Sequence, residues 1–281
     1  MSIITLTTDY GSKDHFVGAI KGRILSQNPD TKIVDISHQI DPFNTAEASY
    51  IVSSAYSAFP HGTVHLIGVD AELNRETQHI AMEWNGHFFV CADNGIPGLI
   101  AQKTVPEKIV AINIHDKIPQ PASDLDVLVW VSCHLARGGL LNVIGKETTQ
   151  IKRPTELQPV VSADRSTIKG YVIYVDHLGN IVTNISRRMF NEVGAGREFE
   201  IVLGGSLKGN KNNLRRIHSR YSDIGVDLDY PLKDYEGNKI AIFNEADYLE
   251  IGLFKANPDT VGTASSLLGI QYRDTLTLYF S

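Results

Sequence analysis

The stretch Ile3-Ile4-Thr5-Leu6-Thr7-Thr8-Asp9-Tyr10-Gly11-Ser12 decides the fold. Its first six residues are apolar or β-branched, the composition of a short strand, and Asp9 to Ser12 is a turn-forming cluster that stops it. Phe16, Val17, Ile20, Ile24 and Leu25 then recur at helical spacing, so residues 14–27 read as an amphipathic helix ended by Pro29-Asp30. Lys32 to Ser37 is a second strand. Strand, turn, helix and strand in this order form a βαβ unit, whose two strands lie parallel.

The rhythm continues outward. Asn44 with Glu47 three residues later has the form of a capping box and opens a helix running to Phe59. Thr63 to Val69 is a third strand. His79 to Trp84 and His87 to Ala92 flank Asn85-Gly86, a two-residue hairpin signal. Lys108 to Asn113 reads as a strand, and Leu125 to Ala136 as an apolar helix closed by Gly138-Gly139. The expected fold class is α/β, with a mostly parallel N-terminal sheet and flanking helices over residues 1–150. After Gly145 the texture changes. A polar stretch over 146–167 reads as a linker. Short strand-like runs separated by turns then predict a smaller antiparallel β-barrel domain over 165–281.

Composition limits the function. Of 281 residues, 42% are hydrophobic and 21% charged, the balance of a globular chain with a substantial core. A net charge of −6 argues against nucleic-acid binding. No apolar run is long enough to span a membrane, and the start is too short and polar for a signal peptide, so a cytoplasmic location is expected. Cys91 and Cys133 sit in apolar stretches and read as buried free thiols. The ten histidines are dispersed without ligand spacing, so no metal and no cofactor is expected. GxGxxG, P-loop and GxSxG patterns are absent.

Three groups of residues could carry chemistry. Asp9 closes the first strand at the carboxyl edge of the predicted sheet, where open α/β sheets bind ligands. It could accept both hydroxyls of a ribose, or simply cap the following helix. Asp70 follows the third strand at the same edge, with Arg75 just beyond, and His134 lies on the apolar helix. Together a carboxylate, a guanidinium and an imidazole could orient water and take its proton; taken alone, a histidine on such an apolar helix is more often a satisfied core residue than a catalyst. Asp176-His177-Leu178-Gly179-Asn180, with Thr183-Asn184, lies between two predicted strands. The Asn180 amide suits an adenine edge, and the same residues suit an Asx-type turn.

In this order the segments Thr7-Thr8-Asp9-Tyr10-Gly11 through Lys21-Gly22, Val34-Asp35-Ile36-Ser37-His38 through Pro42-Phe43, Asp93-Asn94-Gly95, His134-Leu135-Ala136, Asp176 through Asn180 with Thr183-Asn184-Ile185, and Asn244 through Tyr248-Leu249-Glu250-Ile251 resemble the adenosine-forming S-adenosyl-L-methionine hydrolases, relatives of fluorinase and chlorinase. The resemblance covers nearly the whole chain. It implies an α/β domain followed by a β-barrel, and a homotrimer with sites between subunits. It also implies that Asp9 holds the ribose hydroxyls and that Asp70, Arg75 and His134 position and activate water. Asp14 and Asp176 would face the methionine ammonium, Phe43 would wall the nucleoside pocket, and Asn180 would read adenine. Asn94, Leu178 and Asn244 fall in matching segments and complete the expected substrate-binding set. Three features depart from the family. The loop carrying Arg75 is shortened to Ala71-Glu72-Leu73-Asn74, Leu178 stands where an aromatic ring is usual, and Glu245-Ala246 follow Asn244 where the family often has a Ser for the methionine carboxylate.

Such an enzyme would release adenosine and methionine. The sulfonium is already a good leaving group, so the difficulty lies in activating water, for which a general base contributes about 10²–10⁴-fold. Two alternatives are halide attack at the same carbon and a binding protein without turnover. The acidic run Ser123-Asp124-Leu125-Asp126 disfavours an anion pocket and hence the halide reading.

Overall fold

In the computed structural model of the chain, which describes residues 2–102, 104–119, 121–154, 157–204, 206–225 and 231–281, the opening run is strand β1 (Ile3–Thr8). Ile4 to Thr8 are buried because parallel strands flank β1 on both sides: β2 (Lys32–Ser37) and β3 (Val64–Gly68). Helix α1 (Phe16–Gln27) joins β1 to β2, and α2 (Thr45–Ala55) joins β2 to β3. The Asn44 side chain caps α2 by accepting the Glu47 amide at 3.1 Å. The reciprocal half of the box is not made, because Glu47 Oε2 accepts the Asp41 amide instead.

The chain divides into two units, Met1–Pro154 and Thr155–Ser281. In the first, β4 (His79–Trp84) and β5 (His87–Ala92) form the hairpin around Asn85-Gly86, both with positive φ as a type I′ turn requires. Next come α3 (Ile96–Ala101), β6 (Lys108–Ile112), α4 (Asp124–Ala136), α5 (Leu141–Ile144) and β7 (Gly145–Glu147). The sheet order is β2-β1-β3-β5-β4-β6-β7. This corrects the expectation of a mostly parallel sheet: β2, β1, β3 and β5 are parallel, but β4 is antiparallel to both its neighbours, and β7 is antiparallel to β6. A two-residue turn cannot make a crossover, so the hairpin reverses β4 and the sheet is mixed.

Side chains alternate across this sheet. Ile4, Leu6, Leu66 and Val90 pack with Ile20 and Ile24 of α1 and with Val127, Leu128 and Val131 of α4. Ile67, Ile80, Met82 and Phe89 pack with Val52 of α2 and Ile96 and Ile100 of α3. Strands β1, β3, β5 and β6 end at one edge, where β4 begins with His79. The stretch that reads as a linker carries β7, and its Lys152 amide donates to Asp93 Oδ1 at 2.8 Å. Gly98 allows that approach, since a Cβ there would lie 2.2 Å from the Lys152 carbonyl.

The second unit contains β8 (Val160–Val161), β9 (Thr167–Val175), β10 (Ile181–Ser186), α6 (Arg187–Gly194), β11 (Phe199–Leu203), β12 (Lys239–Phe243), β13 (Tyr248–Leu253), α7 (Ala264–Leu268) and β14 (Thr275–Phe280). Its strands are antiparallel, in the order β11-β14-β9-β10-β13-β12, with β8 on β9. The sheet curls into a half-barrel around Ile168, Ile185, Ile201, Ile251 and Leu278. Among the described residues, no helix is long and apolar enough to cross a membrane.

Candidate active site

The carboxyl edge of the first sheet gathers four of the expected residues. Asp9 follows β1, and its Oδ2 accepts the Phe43 amide at 3.1 Å. Phe43 takes a left-handed φ of 63° and leaves its ring 73% exposed. Asp70 follows β3, also left-handed, at φ 44°. An aspartate there is strained by about 1–2 kcal/mol, so its neighbours must hold it. Asn94, after β5, does so: its Nδ2 donates to the Val69 carbonyl at 2.9 Å and the Asp70 carbonyl at 3.0 Å, while its Oδ1 accepts the Ile96 amide. The Asn94 amide is thus committed to this chain's own backbone.

A residue without an assigned role completes this edge. Ser123 caps α4 with a full capping box to Asp126. Asp124, the first residue of α4, accepts the Leu73 amide on Oδ2 at 3.0 Å. Burial raises the Tyr10 phenol above its usual range, and the charges of Asp9 and Asp124 add to the effect. Of the acidic run, Asp124 therefore faces this edge, whereas Asp126 pairs with Arg23 of α1 at 3.1 Å. Arg75 is exposed in a turn tied by Asn74 Oδ1, which accepts the Glu76 and Thr77 amides at 2.9 and 3.0 Å. Asp14 is exposed just before α1.

The structure does not bring His134 to this group. It lies ten residues beyond Asp124 on α4, about 15 Å along the helix axis. There its Nε2 donates to the Leu140 carbonyl at 3.2 Å and its ring stacks on Trp130 at 5.6 Å. Gly139 closes over it, since a Cβ there would fall 2.3 Å from the imidazole. Neighbouring Cys133 and Arg137 contact Ile24 and Gln27 at the far end of α1. His134 is a packed residue in the last turn of a helix whose first turn borders the site. A different imidazole lies near the edge. His79 is fully buried, and its Nε2 donates to the Ala71 carbonyl at 2.9 Å.

In the second unit, Asp176, Leu178, Asn180 and Asn244 cluster with two residues that spacing alone did not point to, Tyr221 and Glu250. Asp176 accepts the Asn180 backbone amide at 2.7 Å and Asn180 Nδ2 at 2.9 Å, which fixes the side-chain amide. Glu250, on β13, accepts the Tyr221 hydroxyl at 2.6 Å and Asn244 Nδ2 at 3.1 Å. Asn244 Oδ1 ties the β12–β13 turn by accepting the Ala246 and Tyr248 amides. Burial raises the Glu250 carboxyl, partly offset by these two donors, and burial with Glu250 pushes the Tyr221 phenol up. Leu178, Asn180, Tyr221, Leu253, Phe254 and Ala264 line a cavity of about 200 Å³. Gly252 makes it possible: a Cβ there would meet the Tyr221 hydroxyl at 2.4 Å and Asn180 Oδ1 at 2.6 Å. Glu250 was visible inside a motif, but Tyr221 sits in irregular chain with no local signal. No group of three His, Cys, Asp or Glu side chains among the described residues could hold a metal ion.

The chain thus pairs a mixed α/β unit that has a carboxylate-bearing strand edge with an antiparallel unit whose cavity is largely apolar, with Asn180 and Tyr221 among its polar lining residues. Residues 4–145 match the S-adenosyl-L-methionine hydroxide adenosyltransferase N-terminal domain and residues 170–277 its C-terminal domain; the chain belongs to this family. It is 31% identical to the (R)-S-adenosyl-L-methionine hydrolase of Methanocaldococcus jannaschii, over 100% of this chain and 97% of the relative. It is 27% identical to a fluorinase of Nocardia brasiliensis, over 73% and 79% of the two chains. An uncharacterized conserved protein from Thermotoga maritima has a similar structure, with a TM-score of 0.79, 26% identity and 99% of both chains covered.

Proposed function

We propose that this chain hydrolyses S-adenosyl-L-methionine to adenosine and L-methionine, with water attacking the ribose C5′. The observation that carries this reading is the match of both units to one family, joined to the placement of Asp9, Asp70 and Asn94 at a single sheet edge. Asp9 accepts the 2′ and 3′ hydroxyls, and the Phe43 ring covers the nucleoside. Asp70 takes the proton from water, and Arg75 stabilises the hydroxide that develops. His134 has no part in this scheme. Asp14 and Asp176 attract the methionine ammonium. Asp176 also orients Asn180 toward the purine, while Tyr221 and Phe254 provide the rings absent at Leu178. Water rather than halide is the nucleophile because Asp9, Asp70 and Asp124 make this edge negative, which attracts a sulfonium and repels an anion.

The chain is further proposed to act in the cytoplasm as a homotrimer, the first unit of one protomer completing a site with the second unit of the next, without metal or cofactor. Incubation of pure protein with S-adenosyl-L-methionine, with and without chloride, tests the activity by chromatography. Adenosine plus methionine is the expected result. A 5′-chloro nucleoside, or bound but unchanged substrate, would refute it.

A further inference from the structure

The turn that presents Asp70 is held directly from three elements, and from a fourth through His79. Asn94, after β5, holds the Val69 and Asp70 carbonyls. Asp124, at the start of α4, holds the Leu73 amide. His79, at the start of β4, holds the Ala71 carbonyl between them. The fourth element is the turn after β6: His115 Nε2 lies 3.2 Å from His79 Nδ1, and the two rings stack at 5.4 Å. The proton positions in this chain are forced. A carbonyl only accepts, so His79 Nε2 carries hydrogen, and Nδ1 of the neutral ring must accept from His115 Nε2. Burial favours that neutral ring by lowering the His79 imidazole, opposed by the Ala71 carbonyl and Asp124. An apolar residue at 79 would leave the Ala71 carbonyl without its donor beside a strained left-handed aspartate.

We infer that His79, aligned by His115, is a positioning residue for the hydrolytic reaction: it holds the Asp70 turn in the geometry that aims the carboxylate at water. This rests on the proposed hydrolysis, and it gives an imidazole behind the site, at position 79, a supporting role there. The role is to hold the loop, since His79 is fully buried and its two ring nitrogens are occupied by Ala71 and His115.

The test uses the full chain and three variants, His79→Leu, His79→Gln and His115→Phe, with two readouts. One is hydrogen exchange of the amides from Leu73 to Thr77, and the other is the kcat and KM for S-adenosyl-L-methionine. His79→Leu is expected to speed exchange in that segment and to lower kcat by at least about tenfold, with KM changed by less than about threefold. His79→Gln keeps a side-chain N–H and is expected to recover most of the kcat. His115→Phe keeps a stacked ring but loses the donor, and should fall between; it carries the test if His79→Leu does not fold. Unchanged exchange and kcat in His79→Leu, or lost kcat with unchanged exchange, would overturn the inference. If the wild-type chain makes no adenosine, the hydrolytic reading fails, and the exchange measurement still decides whether His79 holds the turn.

Discussion

Asp124 Oδ2 accepts the Leu73 amide at 3.0 Å, and this bond ties the first turn of α4 to the loop that follows Asp70. The helix then runs away from the site, so each further residue moves about 1.5 Å from it. His134, ten residues on, is bonded to Leu140 and stacked on Trp130. The end of the helix that meets the Asp70 loop is its N-terminus.

His134→Gln is therefore expected to keep kcat within about threefold of wild type, whereas Asp70→Asn should lower it by at least about 10²-fold. Steady-state kinetics on the two variants checks this. Equal losses in both would return His134 to the mechanism.

Much of this was legible in the sequence. The β1 run, its terminal Asp9, the Asn85-Gly86 hairpin and the Asn44 cap all rest on local chemistry, and the structure shows each of them. Position 134 was not legible. The α4 helix is apolar on most sides, so its pattern hid both its bearing and which end met the sheet edge. The partnership of Tyr221 with Glu250, and that of His79 with His115, join residues more than twenty-five positions apart and leave no spacing signal. The mixed sheet could have been anticipated, because the hairpin that reverses β4 was itself plain.

Asp9→Ala should raise the KM for S-adenosyl-L-methionine by at least about tenfold while kcat changes less, because the lost contact acts alike in ground and transition states. Titration with substrate separates the two parameters. An unchanged KM would return Asp9 to its structural bond with the Phe43 amide.

Gly252→Ala should weaken adenosine binding by at least about tenfold, since the added methyl displaces Asn180 Oδ1 and the Tyr221 hydroxyl from the cavity. Calorimetric titration with adenosine measures this. Wild-type affinity would remove the cavity of the second unit from nucleoside recognition.

Stability in mild acid should depend on His65. It is fully buried, and burial, reinforced by His87, pushes its imidazole down to about 3. An unfolded imidazole titrates near 6.5. Between these values the unfolded chain binds a proton that the folded chain refuses, so this stabilisation is full above about pH 6.5 and falls as the pH drops. Burial raises the carboxyls of Glu47, Asp93 and Glu250, which act with the opposite sign, so a difference is needed. The free energy of unfolding of His65→Gln, measured by denaturant titration, should fall less steeply from about pH 6.5 to 5 than that of wild type, by about one proton. Parallel slopes would contradict a neutral buried His65.

The most direct test of the central claim is the fate of labelled solvent. S-adenosyl-L-methionine is incubated with the protein in water enriched in heavy oxygen, and both products are weighed by mass spectrometry. The account predicts one heavy oxygen in adenosine, at the 5′ position, and none in methionine. Label in methionine, a halogenated nucleoside, or substrate recovered intact would contradict it.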